Sequence, residues 1–182
     1  MILEIVKFGH PALRAKGVAV REVSESIRKL AADMIDTMRD ADGVGLAAQQ
    51  VAVPIQLAIV DVTGVSDRPS ALFVDGKEVD LEEWMPMVLM NPVLELGKEK
   101  VPGNEGCLSF PELTAEIVRS QRVRVKARLL DGRDVDFEAT GLLSRALQHE
   151  VDHLNGILFV DRMNSAAKAA LAGRLKRMQR ES

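Results

Sequence analysis

The chain has 182 residues, 47% hydrophobic and 28% charged, enough apolar side chain to fill one core at this length. A formal net charge of −3 gives no whole-protein attraction for nucleic acid or anionic membrane, and 3% aromatics with no tyrosine leave no base-stacking surface, so sequence-specific nucleic-acid binding is not expected. The one cysteine, Cys107, excludes an internal disulfide and fits a cytoplasmic setting; the opening MILEIVKFGHPALRAKG lacks the apolar run of a secretory signal or membrane span.

Residues 24–42, SESIRKLAADMIDTMRDAD, place Ile27, Leu30, Ala31, Met34, Ile35 and Met38 on one face of a helix, with Ser24 as its cap and Gly43 as its stop. Glycine-punctuated GVGLAAQQ follows at 43–50. IQLAIVDV (55–62), ALFV (71–74) and MVLMNPVLEL (87–96) are strand-like, and the acidic DGKEVDLEEW (75–84), with the only tryptophan, reads as a loop. RVRVKARLL (122–130) and DVDFEAT (134–140) alternate polar and apolar about Asp131-Gly132, which predicts an antiparallel hairpin with one buried face. Residues 141–155 predict a helix ended by Gly156, and an alanine-rich helix is expected over 165–180. No repeat or long linker divides the chain. The expectation is a single α+β domain over residues 1–182, with antiparallel or mixed sheets around a central helix, plus an N-terminal and a C-terminal helix.

The central helix holds HEVDH at 149–153, which uses two of the three histidines. Residues i and i+4 share a helix face, so His149 and His153 can direct two imidazoles at one metal ion. Glu150 stands beside the first, where its carboxylate can serve as a base for water. A catalytic site of this kind needs a third protein ligand and an open position, and Cys107 is the candidate. Leu142, Ala146, His149 and His153 lie on one stripe, while Leu143, Leu147, Val151 and Leu154 form a second. A helix apolar on two sides belongs between layers, and buried histidines there need partners, which a metal supplies.

Three segments, GVGLAAQQ (43–50), EGCLS (105–109) and QHEVDH (148–153), occur in that order, and together they resemble the signatures of the peptide deformylases. The likeness extends to the ILEIVKFGHPALR lead, the Asn91-Pro92 pair and the GILFVDR run after the third segment. The resemblance implies a metal-dependent hydrolase that removes the N-formyl group from the formyl-methionine of nascent polypeptides. It implies Cys107, His149 and His153 as metal ligands, with Fe²⁺ as the metal and Zn²⁺, Ni²⁺ or Co²⁺ as replacements. By the same resemblance Glu150 moves the proton, and Gln50 with the backbone N–H of Leu108 holds the oxyanion. Gly43 and Gly45 would let a substrate backbone approach, and Val44, Leu142 and Ala146 would line a methionine pocket. Glu105 and Gln148 are expected to orient the ligands, and Asp152 and Arg119 to form structural ion pairs.

Two departures bear on selectivity. Arg145 interrupts the apolar lining, and its stem is expected to lie along the pocket with its charge in water. Thr114 stands where many relatives carry arginine. Two other functions remain open at this point. A metallopeptidase often places its third ligand downstream of HExxH, whereas Cys107 lies 42 residues upstream of His149. A non-catalytic, ribosome-associated metal protein would need four protein ligands, and beyond these three only His10 remains. The final segment has a stripe of Ala167, Ala170, Leu171, Arg174, Leu175 and Met178, and its Lys168, Arg174, Lys176, Arg177 and Arg180 make it basic. Those cations either complement their own helix dipole or dock the protein on the ribosome.

Overall fold

The computed structural model describes residues 1–181. Helix α1 spans Glu25–Asp40, and Ser24 Oγ accepts from the Ile27 N–H as the expected cap. It ends differently from expectation. Asp42, not Gly43, takes the left-handed backbone (φ 55°), and the Gly43 N–H closes on Met38 O at 2.9 Å. Aspartate is among the non-glycine residues that tolerate that region.

Among the described residues nine strands follow: β1 Gly45–Ala47, β2 Leu57–Val60, β3 Ser70–Val74, β4 Lys77–Val79, β5 Met87–Leu96, β6 Lys100–Cys107, β7 Phe110–Ser120, β8 Arg122–Leu129 and β9 Asp134–Thr140. Seven form one sheet in the order β1-β2-β5-β8-β9-β3-β4, and β6-β7 form a separate hairpin. All these ladders are antiparallel, which narrows the expected antiparallel or mixed arrangement. The β8-β9 hairpin is observed as expected. Val123, Val125 and Ala127 point into the core, and Arg122, Arg124 and Arg128 pair across the outer face with Glu138, Asp136 and Asp134 at 2.6–3.0 Å.

Two stretches correct the sequence reading. The supposed loop at 75–84 holds strand β4 and a 3₁₀ turn, Leu81–Trp84. Asp75 (φ 51°) and Gly76 (φ 77°) turn β3 back on β4 with the twist that a two-residue hairpin needs, so the Asp-Gly pair was the signal. Trp84 then packs on Phe137, 5.8 Å between ring centroids. The second omission is larger: β6-β7, the hairpin that carries Cys107, went unpredicted. Pro102, Gly103, Gly106 and Pro111 mask its pattern, yet Leu113, Ala115 and Ile117 alternate inward along β7. They rest on Phe8, Leu158, Phe159, Val160 and Met163.

Helix α2, Gly141–Leu154, lies between the sheet and this hairpin, as its two apolar stripes required. Its first turn has no side-chain cap. Neighbouring chain satisfies it instead: Leu142 N–H donates to Pro69 O at 3.0 Å and Leu143 N–H to Ser70 Oγ at 2.9 Å. Gly156, at φ 74°, follows its C-cap residue Asn155. Helix α3, Ser165–Glu181, packs Ala167, Leu171, Leu175 and Met178 against the cluster beneath β7, while Ala170 of the expected stripe is exposed.

The Asn-Pro pair has a structural reason. Asn91 sits at an irregularity of β5 with φ 52°, and its side chain accepts from Val20 N–H and donates to Val20 O, both at 2.8 Å. It thereby stitches the N-terminal arm to the sheet. Asn91→Ala removes both bonds and places alanine in a left-handed conformation. We expect a loss of about 1–3 kcal/mol in urea unfolding; an unchanged midpoint would refute this role.

Candidate metal centre

Residues 149 and 153 are one helical turn apart on the buried face of α2, and their rings stand 5.0 Å apart, centroid to centroid. Cys107 closes β6, and a two-residue turn, Leu108-Ser109, leads into β7. That turn brings Cys107 Sγ within 3.4 Å of His153 Nε2. One ligand atom each from Cys107, His149 and His153 lies within 4.8 Å of the others, so all three expected ligands converge.

The surroundings fit a divalent cation. Glu105 Oε1 lies 2.9 Å from His149 Nδ1. With Glu105 ionised, the proton belongs on Nδ1, which leaves the Nε2 lone pair free for a metal. Burial and hydrogen bonds act in opposite directions on Glu105, and the bonds from Arg119 and His149 win, holding its carboxyl at about 2. At His149, burial disfavours charge, but bonds to Cys107 and Glu105 raise its pKa well above the ordinary value. The same surroundings that draw a proton there draw a cation. Burial, then the positive charges of His149 and Arg119, lower His153, which favours the neutral imidazole that ligation requires. His153 Nδ1 and Glu150 Oε1 are buried with no hydrogen-bond partner among the described residues.

Glu150 faces β1. A Cβ on Gly45 would stand against its carboxylate, 2.8 Å from Cδ. This glycine therefore makes room for Glu150, a requirement that stands beside the expected one of space for a substrate backbone, since Gly45 also lines the cavity next to the cluster. At Gly43, likewise, a Cβ would meet Leu108 Cδ1 at 2.8 Å. Burial is the main cause that pushes Glu150 up to about 7, against the pull of His149. A carboxylate so placed can both take and return a proton near neutrality.

Gln50 is aimed by its own backbone neighbour. Ala47 N–H donates to Oε1 at 2.9 Å, which fixes the amide so that Nε2 points to Cys107 Sγ, 3.6 Å, and Ser109 Oγ, 3.2 Å. Beside these groups opens a cavity of about 620 Å³. Gly43, Val44, Gly45, Leu108, Leu142 and Ala146 all line it, as do Thr114 and the half-buried Arg68. Arg68 was not singled out in the sequence. It comes from the β2-β3 connection, where no motif marks it.

Two side chains depart from expectation. Arg145 does not reach water: its side chain is 6% exposed, with its guanidinium bonded to Glu105, Ile117 O and Val101 O. The Gln148 side chain makes its hydrogen bonds away from the ligands. It accepts from Ser120 N–H and donates to Ser120 O, joining α2 to the end of β7. Glu105 does orient His149, and Arg119 and Asp152 form the expected ion pair, 2.6 Å.

An HExxH helix packed on antiparallel strands, two histidines and one cysteine converging, and a buried carboxylate beside an open cavity define a metal-dependent hydrolase site. The profile of polypeptide deformylases matches residues 2–169. The chain is 46% identical over 180 residues to a peptide deformylase of Methylacidiphilum infernorum, covering 99% of this chain and 94% of that one. Against one from Opitutus terrae it is 38% identical over 178 residues, covering 97% and 92%. The crystal structure of peptide deformylase from Thermotoga maritima superposes with a TM-score of 0.75 at 36% identity, over 90% of this chain and 99% of that one. The Ehrlichia chaffeensis enzyme in complex with actinonin gives 0.80 at 33% identity, covering 97% and 96%. The chain belongs to the polypeptide deformylase family.

Cys107→Ser replaces a thiolate by a poor metal ligand. Metal content after dialysis against a chelator should fall well below that of the wild-type protein. Equal content and equal affinity would remove Cys107 from the site.

Proposed function

We propose that this protein hydrolyses the N-formyl group of formyl-methionine at the start of nascent polypeptides and releases formate. The observation that carries the reading is convergence: the Glu150 carboxylate and the Gln50 amide meet the Cys107, His149 and His153 cluster at one cavity. Cys107, His149 and His153 hold the metal. When bound, it acts as a Lewis acid that eases ionisation of water and polarises the formyl oxygen.

Glu150 takes a proton from the attacking water and delivers it to the departing amine, so the carbon–nitrogen bond breaks without expelling an amide anion. Gln50 Nε2 and the Leu108 N–H donate to the oxygen of the tetrahedral species. A neutral amide suits this task, because it does not hold ground-state anions tightly. The peptide extends along Gly43, Val44 and Gly45 beside terminal strand β1. The methionine side chain enters the lining of Val44, Leu142 and Ala146.

Two imidazoles and one thiolate accept several first-row metals, and affinity alone favours Zn²⁺ over Fe²⁺. We assign Fe²⁺ by family resemblance, with Zn²⁺, Ni²⁺ and Co²⁺ as replacements. The free Cys107 accords with a cytoplasmic location, and no described helix is long and apolar enough to cross a membrane. On α3, Lys168, Lys176, Arg177 and Arg180 are exposed, whereas the apolar stripe is used for packing and Arg174 donates to Glu112 O at 2.6 Å. The four exposed cations are the surface we assign to ribosome contact.

The deciding experiment gives anaerobically purified protein formyl-Met-Ala-Ser and Met-Ala-Ser. Formate from the first and no free amino acids from the second is the expected result; peptide-bond cleavage would overturn it in favour of a peptidase. Glu150→Gln should retain metal and lose about 10²–10⁴-fold in kcat. Gln50→Leu should lose roughly 10²-fold, and a change confined to KM would reduce Gln50 to a binding role. Reversing the charge of Lys168, Lys176, Arg177 and Arg180 together should leave turnover of the short peptide unchanged and weaken low-salt co-sedimentation with ribosomes. Undiminished co-sedimentation would count against ribosome contact through α3.

A further inference from the structure

Arg145 occupies a position that the hydrolysis scheme does not use. It stands one helical turn before His149 on α2, and its guanidinium crosses the β6-β7 hairpin. Nη1 donates to Glu105 Oε2 and to Ile117 O, both at 2.7 Å, and Nη2 donates to Val101 O at 2.9 Å. The bonds reach both strands: Val101 and Glu105 belong to β6, Ile117 to β7. The hairpin has a notch for it. A Cβ on Gly103 would fall 2.8 Å from Cζ, Nε and Nη2 of Arg145, so only glycine lets the planar group lie this close.

Cys107 lies two residues beyond Glu105 on the same strand, and His149 lies four beyond Arg145 on the same helix. We infer that Arg145 is a positioning residue: its guanidinium pins the Cys107-bearing hairpin to the helix bearing His149 and His153, and so sets the thiolate-to-imidazole separation. The inference rests on the reading of those three residues as metal ligands. A second strap lies on the other side of His149, where Arg119 of β7 meets Asp152 of α2 at 2.6 Å. With both in place the two elements cannot pivot about His149. Lysine cannot reproduce the Arg145 strap, because one ammonium does not present donors in the fork that reaches Glu105, Val101 and Ile117 together.

The test loads wild-type protein, Arg145→Met, Arg145→Lys and Gly103→Ala with Co²⁺ and needs no substrate. Two quantities are read: the rate of Co²⁺ release to excess chelator, and the visible and thiolate-to-cobalt absorption bands. Arg145→Met should release the metal about 10–100-fold faster, as supports of metal ligands generally do when removed, with displaced bands. Arg145→Lys should not restore wild-type values. Gly103→Ala, which crowds the guanidinium without altering any charge, should move both readouts in the same direction. Should Arg145→Met fail to fold, the other two carry the test. Val125→Ala, in the sheet core and buried at 0% exposure, controls for lost stability alone. Wild-type release and bands in the Arg145 and Gly103 variants would overturn the inference, as would equal acceleration in Val125→Ala. A wild-type chain that takes up no cobalt would overturn the ligand reading itself, and this inference with it.

Discussion

The Glu105 carboxylate is the interaction on which the site depends. It accepts four hydrogen bonds, from Arg119 Nε and Nη2, Arg145 Nη1 and His149 Nδ1, at 2.7–2.9 Å. That matches the capacity of two carboxylate oxygens, so a charge that is 5% exposed leaves no lone-pair direction unanswered. Burial of an ion is tolerable on these terms and on few others, since removing one partner of a buried pair commonly costs about 3–5 kcal/mol. The same carboxylate links strands β6 and β7 to helix α2. Fold and site therefore share one electrostatic centre.

From that centre the other parts take their positions. Because His149 Nδ1 is engaged, Nε2 faces the cluster. Because the hairpin is fixed on α2, the half-buried Cys107 Sγ meets His153 Nε2. Terminal strand β1 then closes the third side, where Gly45 yields space to the Glu150 carboxylate. Gln50 reaches the cluster through the 3₁₀ turn after β1, held by the N–H of Ala47. Four elements contribute to the constellation, and each is fixed by contacts outside it. That rigidity accords with catalysis by preorganised groups, which need not rearrange as charge develops.

The cavity combines apolar and polar lining. Val44, Leu142 and Ala146 give it apolar lining, while the half-buried Arg68 and exposed Thr114 add polar groups. An apolar lining suits methionine, and under the proposed binding mode backbone-based contacts along Gly43–Gly45 would tolerate varied residues beyond it. A protein that serves many nascent chains needs this combination of a specific first residue and permissive successors.

Periodicity and motif spacing determined much of this protein without coordinates. Helices α1, α2 and α3 and the β8-β9 hairpin follow from local pattern; Cys107 was the candidate third ligand by its chemistry and by the resemblance, and its approach to His153 was decided by the β6-β7 hairpin. The HEVDH spacing alone puts two imidazoles on one face, because a helix repeats every 3.6 residues. The β3-β4 hairpin was equally legible in Asp75-Gly76, though an acidic composition disguised it. What only tertiary structure decided is the use of each charge and each missing Cβ. Nothing local distinguishes Arg145 from a solvated arginine on a helix; its burial depends on Val101, Gly103, Glu105 and Ile117, supplied by two strands far away in sequence. Gly45 reads only as a glycine for substrate approach until Glu150, over a hundred residues on, is seen to need the space of its missing Cβ as well. Backbone conformation is set by neighbours in the chain, whereas ion pairing and close approach are set by neighbours in space.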